Sequence, residues 1–158
     1  MSENGFPVTV RIGEAGFAVE VEASSHHLKA DEPKEYGGTG TGPSPYDYLL
    51  TALGACTAMT LRMYADRKGW PLKGATVRLA HHRIHARDCE DCESGTGMVT
   101  RIDRSLELEG DLTDEQQQRL REIADRCPVH RTLTSEIRIV DVTEDRSPTP
   151  HSGSRRSE

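Results

Sequence analysis

Between Gly42 and Gly69 the chain runs GPSPYDYLLTALGACTAMTLRMYADRKG, a single helix signal with both ends marked. Ser44 is placed to cap the N-terminus, Pro45 fits the first helical position, and Asp47 stands where a capping-box acid belongs. Gly69 and Pro71 end it, and Arg67 and Lys68 put cations in the last turn, where the helix dipole favours them. The predicted helix has about 24 residues and is roughly 36 Å long at 1.5 Å per residue. From Leu49 to Met59 its residues are apolar or small on every side. That pattern predicts burial all round rather than a position on a surface.

Such a helix has to be covered, and the chain is poorly supplied for the task. Among 158 residues, apolar side chains make up 34% and aromatics 4%. A second copy would supply the missing cover, which predicts a homodimer. One domain with one core is expected over residues 1–142, followed by a disordered polar tail at 143–158. The net charge of -6, with no basic stripe on any predicted element, speaks against a nucleic-acid partner. The sequence shows no charged-then-apolar leader, and no apolar run approaches the ~20 residues that span a bilayer. A cytoplasmic location with no membrane partner is therefore expected. There, four cysteines point to thiols, ligands or catalytic groups rather than structural disulfides.

The remaining elements follow from alternation and turn residues. Val8, Val10 and Ile12, then Phe17, Val19 and Val21, alternate with polar residues around Gly13–Gly16 and predict a β-hairpin. Residues 24–30 continue in extended form, and 31–42 make a long loop of the kind that often lines a site. Val77 and Leu79 begin a strand that runs to about His85, and Val99 to Glu109 forms another, its apolar face broken by Arg104 and so partly open. Thr113 and Gln116 start a second helix with a capping box, and Leu120, Ile123, Ala124 and Cys127 form its inward stripe. Pro128 ends that helix and opens one further turn, with Cys127 at its N-cap. Thr134 to Val142 alternates as a final strand. The sum is an α+β domain with largely antiparallel pairing.

Cys56 and Cys127 each fall on an inward stripe, so packing of the two helices would bring their sulfurs together. Unpaired N–H groups at a helix start favour a thiolate at Cys127, with His130 and Arg131 adding positive potential. Cys56 lies mid-helix, beyond the reach of such groups, and needs a cation; Arg11 and Arg131 are the nearest candidates. Both cysteines are equally readable as small buried hydrophobes. Cys89 and Cys92, in HHRIHARDCEDCE, form a C-x-x-C knuckle open to three readings: a zinc site with His85, a redox pair, or a solvated hairpin tip. His81 and His85 on one strand would lie roughly 13 Å apart at 3.3 Å per residue, too far to share an ion. The doublets His26-His27 and His81-His82 have no partner acid at catalytic spacing in the sequence. The charges from Asp114 to Arg126 read as the wet face of the second helix. No phosphate-binding loop, dinucleotide glycine pattern or serine elbow is present.

GPSPYDYLLTALGAC, ending at Cys56, and CPVHRTL, starting at Cys127, together resemble the OsmC/Ohr family of thiol-dependent peroxidases, in its OsmC-like redox protein branch. The resemblance extends over roughly residues 8–142. It implies an intertwined homodimer in which antiparallel sheets wrap two central helices and active sites form at the interface. It also implies reduction of an organic hydroperoxide by Cys56, with Cys127 resolving the sulfenic acid as a disulfide. No metal or organic cofactor is implied. The reductant is a dithiol, in some members a lipoylated protein. The family's peroxidases hold a catalytic arginine with a glutamate ten residues before the attacking cysteine, where this chain has Tyr46. Against that stands a second reading, a dimeric small-molecule-binding or metal-binding stress protein with Cys89 and Cys92 as a zinc knuckle.

Overall fold

Local capping chemistry places every helix where the residues predict it. In the computed structural model, which describes residues 7–89, 93 and 95–141, helix α1 is Pro45–Lys68. The Ser44 hydroxyl accepts from the Asp47 N–H at 3.2 Å, and the Asp47 carboxylate accepts from the Ser44 N–H at 2.8 Å. The Ser44 N–H first, then the Ser44 hydroxyl bonded to the same carboxylate at 2.8 Å, hold the Asp47 carboxyl below its ordinary range. At the far end Gly69 adopts a left-handed φ of 65°, which only glycine takes without strain, and its N–H returns to the Ala65 and Asp66 carbonyls. Helix α2 (Asp114–Ala124) carries the same reciprocal box between Thr113 and Gln116, and α3 (Pro128–Leu133) starts at Cys127.

The strands form two separate antiparallel sheets. Strands β1 (Val8–Ile12), β2 (Val19–Ala23) and β3 (His26–Ala30) make a three-stranded meander, with Ile12 opposite Val19 and Ala23 opposite His26. Strands β4 (Leu72–His85) and β5 (Met98–Gly110) make one long hairpin from Leu72–Gly110 to His85–Met98. Strand β4 begins five residues before Val77, because Leu72 turns inward to join the core. Helix α1 lies across this hairpin, close to it at Gly54, where an added Cβ would meet the Leu79 side chain at 3.1 Å. Helices α2 and α3 pack on α1 in turn.

The core is the junction of α1, α2 and the start of β4: Leu61, Ala65, Leu72, Leu120, Ile123 and Ala124. Leu61 and Leu120 are completely buried, each contributing about 2 kcal/mol of transfer free energy. The predicted all-round burial of α1 does not occur within one chain. Its buried residues are Leu53, Thr57, Leu61 and Ala65, a single i, i+4 row, while Met59 and Met63 stay 65% and 72% exposed. One chain offers this helix only two layers, so the opposite side is left uncovered. The final strand expected over 134–142 is also absent among the described residues: α3 runs to Leu133 and residues 136–141 have no ladder partner. Ile137, Ile139 and Val140 are exposed there. Arg104 departs from expectation too. Rather than opening β5, it turns onto the end of α2, donating to the Ala124 carbonyl at 3.2 Å and pairing with Asp125, and is only 17% exposed. No helix among the described residues is long and apolar enough to cross a membrane.

The loop from 31 to 42 is organised by one carboxylate. Asp31 is buried and accepts from the Thr39 hydroxyl at 2.6 Å, the Thr41 hydroxyl at 3.0 Å, and the N–H groups of Glu32, Thr39 and Thr41. The Thr39 hydroxyl above all, then the Thr41 N–H, holds its carboxyl far below the ordinary carboxylate range. Because the folded value is depressed, the stabilisation is complete above the unfolded value near 3.8 and fades as pH falls below it. Asp31→Asn is expected to lower the midpoint of thermal unfolding at pH 7, and the gap to the wild type is expected to narrow as pH drops toward about 2. Circular dichroism melts across that range measure it, and a gap independent of pH would show that the Asp31 charge plays no part.

Candidate functional site

The buried row of α1 leads directly to the second cysteine motif. Thr57, one residue after Cys56, has no exposed surface and places its hydroxyl oxygen 3.6 Å from the Cys127 sulfur. The same hydroxyl donates to the Leu53 carbonyl at 2.8 Å. A hydroxyl has one proton, so with that proton given to Leu53 its oxygen can only accept from the thiol. Cys127 is also the N-cap of α3, its sulfur accepting from the His130 N–H at 3.3 Å, in the position a serine hydroxyl ordinarily occupies. The buried sulfur is thus a donor to Thr57 and an acceptor for the backbone, the arrangement of a neutral thiol.

Cys56 has a different setting. It is partly exposed and carries no side-chain hydrogen bond among the described residues; its carbonyl accepts from the Thr60 hydroxyl at 2.7 Å. Successive α-helical residues are turned by about 100°, so Cys56 sits beside the buried row, not on it as the inward-stripe expectation had it. It borders the uncovered side formed by Ala52, Ala55 and Met59. One thiol is therefore partly open, while the other is enclosed against the hydroxyl of the next residue along α1.

The Arg131 N–H donates to the Cys127 carbonyl at 3.1 Å, and neither the Arg11 nor the Arg131 side chain makes a hydrogen bond to a cysteine among the described residues. Arg11 is exposed on β1, opposite Glu20, in a sheet whose Val8, Val10 and Ile12 lie largely bare. Arg131 is exposed on α3. Tyr46 stacks flat on His81 of β4, with ring centroids 4.3 Å apart and planes 9° from parallel, which ties the start of α1 to the hairpin. Its neighbour Asp47 is committed to the cap. His82 finds a partner after all, its Nε2 lying 3.3 Å from Asp103, because antiparallel register brings β5 alongside.

Cys89 is disulfide-bonded, which is compatible with the redox-pair reading of that turn and removes a thiolate ligand from the zinc-knuckle reading. Cys92 lies outside the described residues. No group of three or more His, Cys, Asp or Glu side chains among the described residues is arranged to hold a metal.

Two cavities flank the cysteine motifs. One, of about 320 Å³, lies under α3 between Leu53, Ile102, Arg104 and His130. The other, of about 580 Å³, begins at Thr60 and Pro128 and runs along α1 to Arg67 and Lys68. Thr57, Arg104 and the residues around this second cavity have no motif to announce them. Arg119 and Arg126, expected on the wet face of α2, line it. The only sequence signal was the clustering of cations near the ends of both helices.

Comparison with known proteins follows the same lines. The sequence matches the family described as OsmC-like protein over residues 38–140. No curated protein matches it. An OsmC-like protein from Mycoplasma pneumoniae superposes with a TM-score of 0.65 at 19% identity, covering 84% of this chain and 89% of its own. An organic hydroperoxide resistance protein from Legionella pneumophila gives 0.62 at 16%, covering 85% and 92%. Another from Vibrio cholerae gives 0.59 at 22%, covering 85% and 87%.

The two thiols are expected to differ in access. In the native protein iodoacetamide should alkylate Cys56 well before Cys127, which should react only on unfolding. Peptide mapping after timed quenching measures the two rates, and equal native rates would contradict the enclosed seat of Cys127.

Proposed function

Because the chain belongs to the OsmC-like protein family, we propose that it is a cysteine-dependent reductase of organic hydroperoxides, with Cys56 attacking and Cys127 resolving. The observation that carries this reading is the seat of Cys127: a buried neutral thiol held against Thr57, the residue next to a more open cysteine. The printed names of the Legionella and Vibrio relatives support the substrate class.

In the first step the Cys56 thiolate attacks one peroxide oxygen. An S–O bond forms and the O–O bond breaks, the alkoxide leaves and takes a proton to become the alcohol, and the sulfur is oxidised by two electrons to a sulfenic acid. In the second step the Cys127 sulfur displaces hydroxide from that sulfenic acid. The disulfide forms, and hydroxide with the thiol proton leaves as water. A dithiol, such as a lipoyl group on a protein, then returns both cysteines to thiols by exchange. Neither metal nor organic cofactor takes part. A cation beside Cys56 would favour its thiolate. Arg11 fills that role, carried in on the open β1–β3 sheet of either subunit, and Arg131 is the second candidate. Helix movement of the size that brings two Cα atoms to about 4.4–6.8 Å completes the pairing.

The reading includes a homodimer, working in the cytoplasm. The bare stripe of Ala52, Ala55 and Met59, the exposed faces of β1 and the unladdered segment with Ile137 and Ile139 are three apolar surfaces that a second copy would cover together. The zinc-knuckle alternative loses support with Cys89 in a disulfide.

Mass spectrometry after one equivalent of cumene hydroperoxide tests the chemistry. A Cys56–Cys127 disulfide is expected in the wild type, a sulfenic acid at Cys56 in Cys127→Ser, and no peroxide consumption in Cys56→Ser. Unmodified thiols at both positions in folded protein would end this reading. Separately, sedimentation equilibrium at micromolar concentration should give twice the chain mass, and Met59→Lys should shift the protein toward monomer. A folded wild-type monomer would remove the dimer from the account.

A further inference from the structure

The cavity of about 580 Å³ beside α1 has an uneven lining. At one end Arg67, Lys68 and Arg119 gather around Tyr64; Met63 and Ile123 lie between them and Pro128, beside which Arg126 stands two residues earlier in the chain. Four cations around one cavity is a concentration that a chain with 20 basic and 26 acidic residues does not lead one to expect. Among the described residues Arg67, Lys68 and Arg126 form no ion pair with a carboxylate, and only Arg119 has one, with Glu122 at 2.6 Å. Nearby Arg62 and Arg104, by contrast, are both paired. Charge left uncompensated at the end of an apolar cavity is complementary to a ligand that carries the opposite sign.

Tyr64 senses that charge independently. Its hydroxyl accepts from Arg119 at 3.3 Å, and Arg67, Lys68 and Arg119 lie 5.3–5.9 Å from its ring centroid. The Arg119 bond first, then the charges of Arg119, Lys68 and Arg67, pull the phenol below its ordinary range. The side chain that would otherwise be the floor of an apolar cavity is therefore held in a field that favours negative charge.

From the cation cluster, the apolar walls and their order along the helix, we propose that this cavity binds a single-chain amphipathic carboxylate, its head at Arg67, Lys68 and Arg119 and its chain along Met63, Ile123 and Pro128. Two guanidinium groups at one end suit a carboxylate, which they can grip in bidentate fashion. The tail then points toward the active cysteines. Cys56, Thr60, Met63 and Arg67 recur at i, i+4, i+7 and i+11 on one side of α1, so the head lies about 16 Å along the helix axis from Cys56. The binding itself does not depend on peroxide chemistry.

Isothermal titration of the reduced full-length protein with decanoate, 1-decanol and inorganic phosphate, below micellar concentration and without peroxide, tests the site. Decanoate is expected to bind at least about tenfold more tightly than either decanol, which lacks the charge, or phosphate, which lacks the chain. The double variant Arg67→Gln/Lys68→Gln alters two exposed side chains that make no hydrogen bond among the described residues, and should weaken decanoate by roughly tenfold or more. Equal affinity for decanol would reduce the site to an apolar cleft, and equal affinity for phosphate to a simple anion patch. Either result overturns the proposal. So does an absence of decanoate binding, as would follow if a second copy sealed the cavity, and so does a double variant that binds decanoate as the wild type does. Because no peroxide is present, failure here leaves the cysteine chemistry standing, and failure of that chemistry leaves this site standing.

Discussion

A helix of 24 residues held along one row of side chains governs everything around it. Leu53, Thr57, Leu61 and Ala65 are its buried residues within a chain. Three of the four meet ordinary apolar partners. The fourth carries a hydroxyl into the interior, and that hydroxyl is tolerable only because Leu53 takes its proton and Cys127 supplies a donor in return. The seat of the second cysteine thus solves a packing problem of the first helix. Remove the i, i+4 row and α2, α3 and both cysteine motifs lose their common reference.

The remaining sides of α1 explain why a single chain looks unfinished. The β1–β3 sheet meets α1 where the Tyr48 hydroxyl donates to the Lys29 carbonyl, but its apolar residues stay bare on β1, and the chain described beyond α3 runs on without a strand to pair with. A composition with 4% aromatics cannot close these faces from inside. What one chain lacks in apolar cover matches what it leaves exposed, which is the physical case for two copies sharing one core.

Legibility followed range. Ser44 with Asp47, Thr113 with Gln116, and Cys127 before Pro128 are capping signals spanning three or four residues, and all three helices begin where those signals lie. The hairpins were similarly plain from alternation. Contacts between distant segments were not. Nothing near Thr57 in the sequence reveals that a thiol 70 residues away will use its lone pair, and nothing near Arg104 reveals that the end of α2 will take its guanidinium. The strand expected after Thr134 failed for the same reason: alternation reports the two faces of a segment but not whether a neighbouring strand exists to bond it. The two cysteines were found by a motif resemblance. Their unequal exposure, and the cations gathered beyond Thr60, depended on tertiary placement.

One sulfur atom serves α3 as its capping group and serves the site as its enclosed thiol. These duties compete. A sulfur joined to another sulfur has no proton for Thr57 and must turn from the line on which it accepts the His130 N–H, so any oxidation of Cys127 leaves the first turn of α3 without its cap. Six residues make a short helix with little else to hold it. Were the proposed disulfide to form, backbone order would report it, and faster amide exchange at His130 in the oxidised protein would display it. Protection unchanged by oxidation would mean that neighbouring packing, not the sulfur, keeps that turn wound.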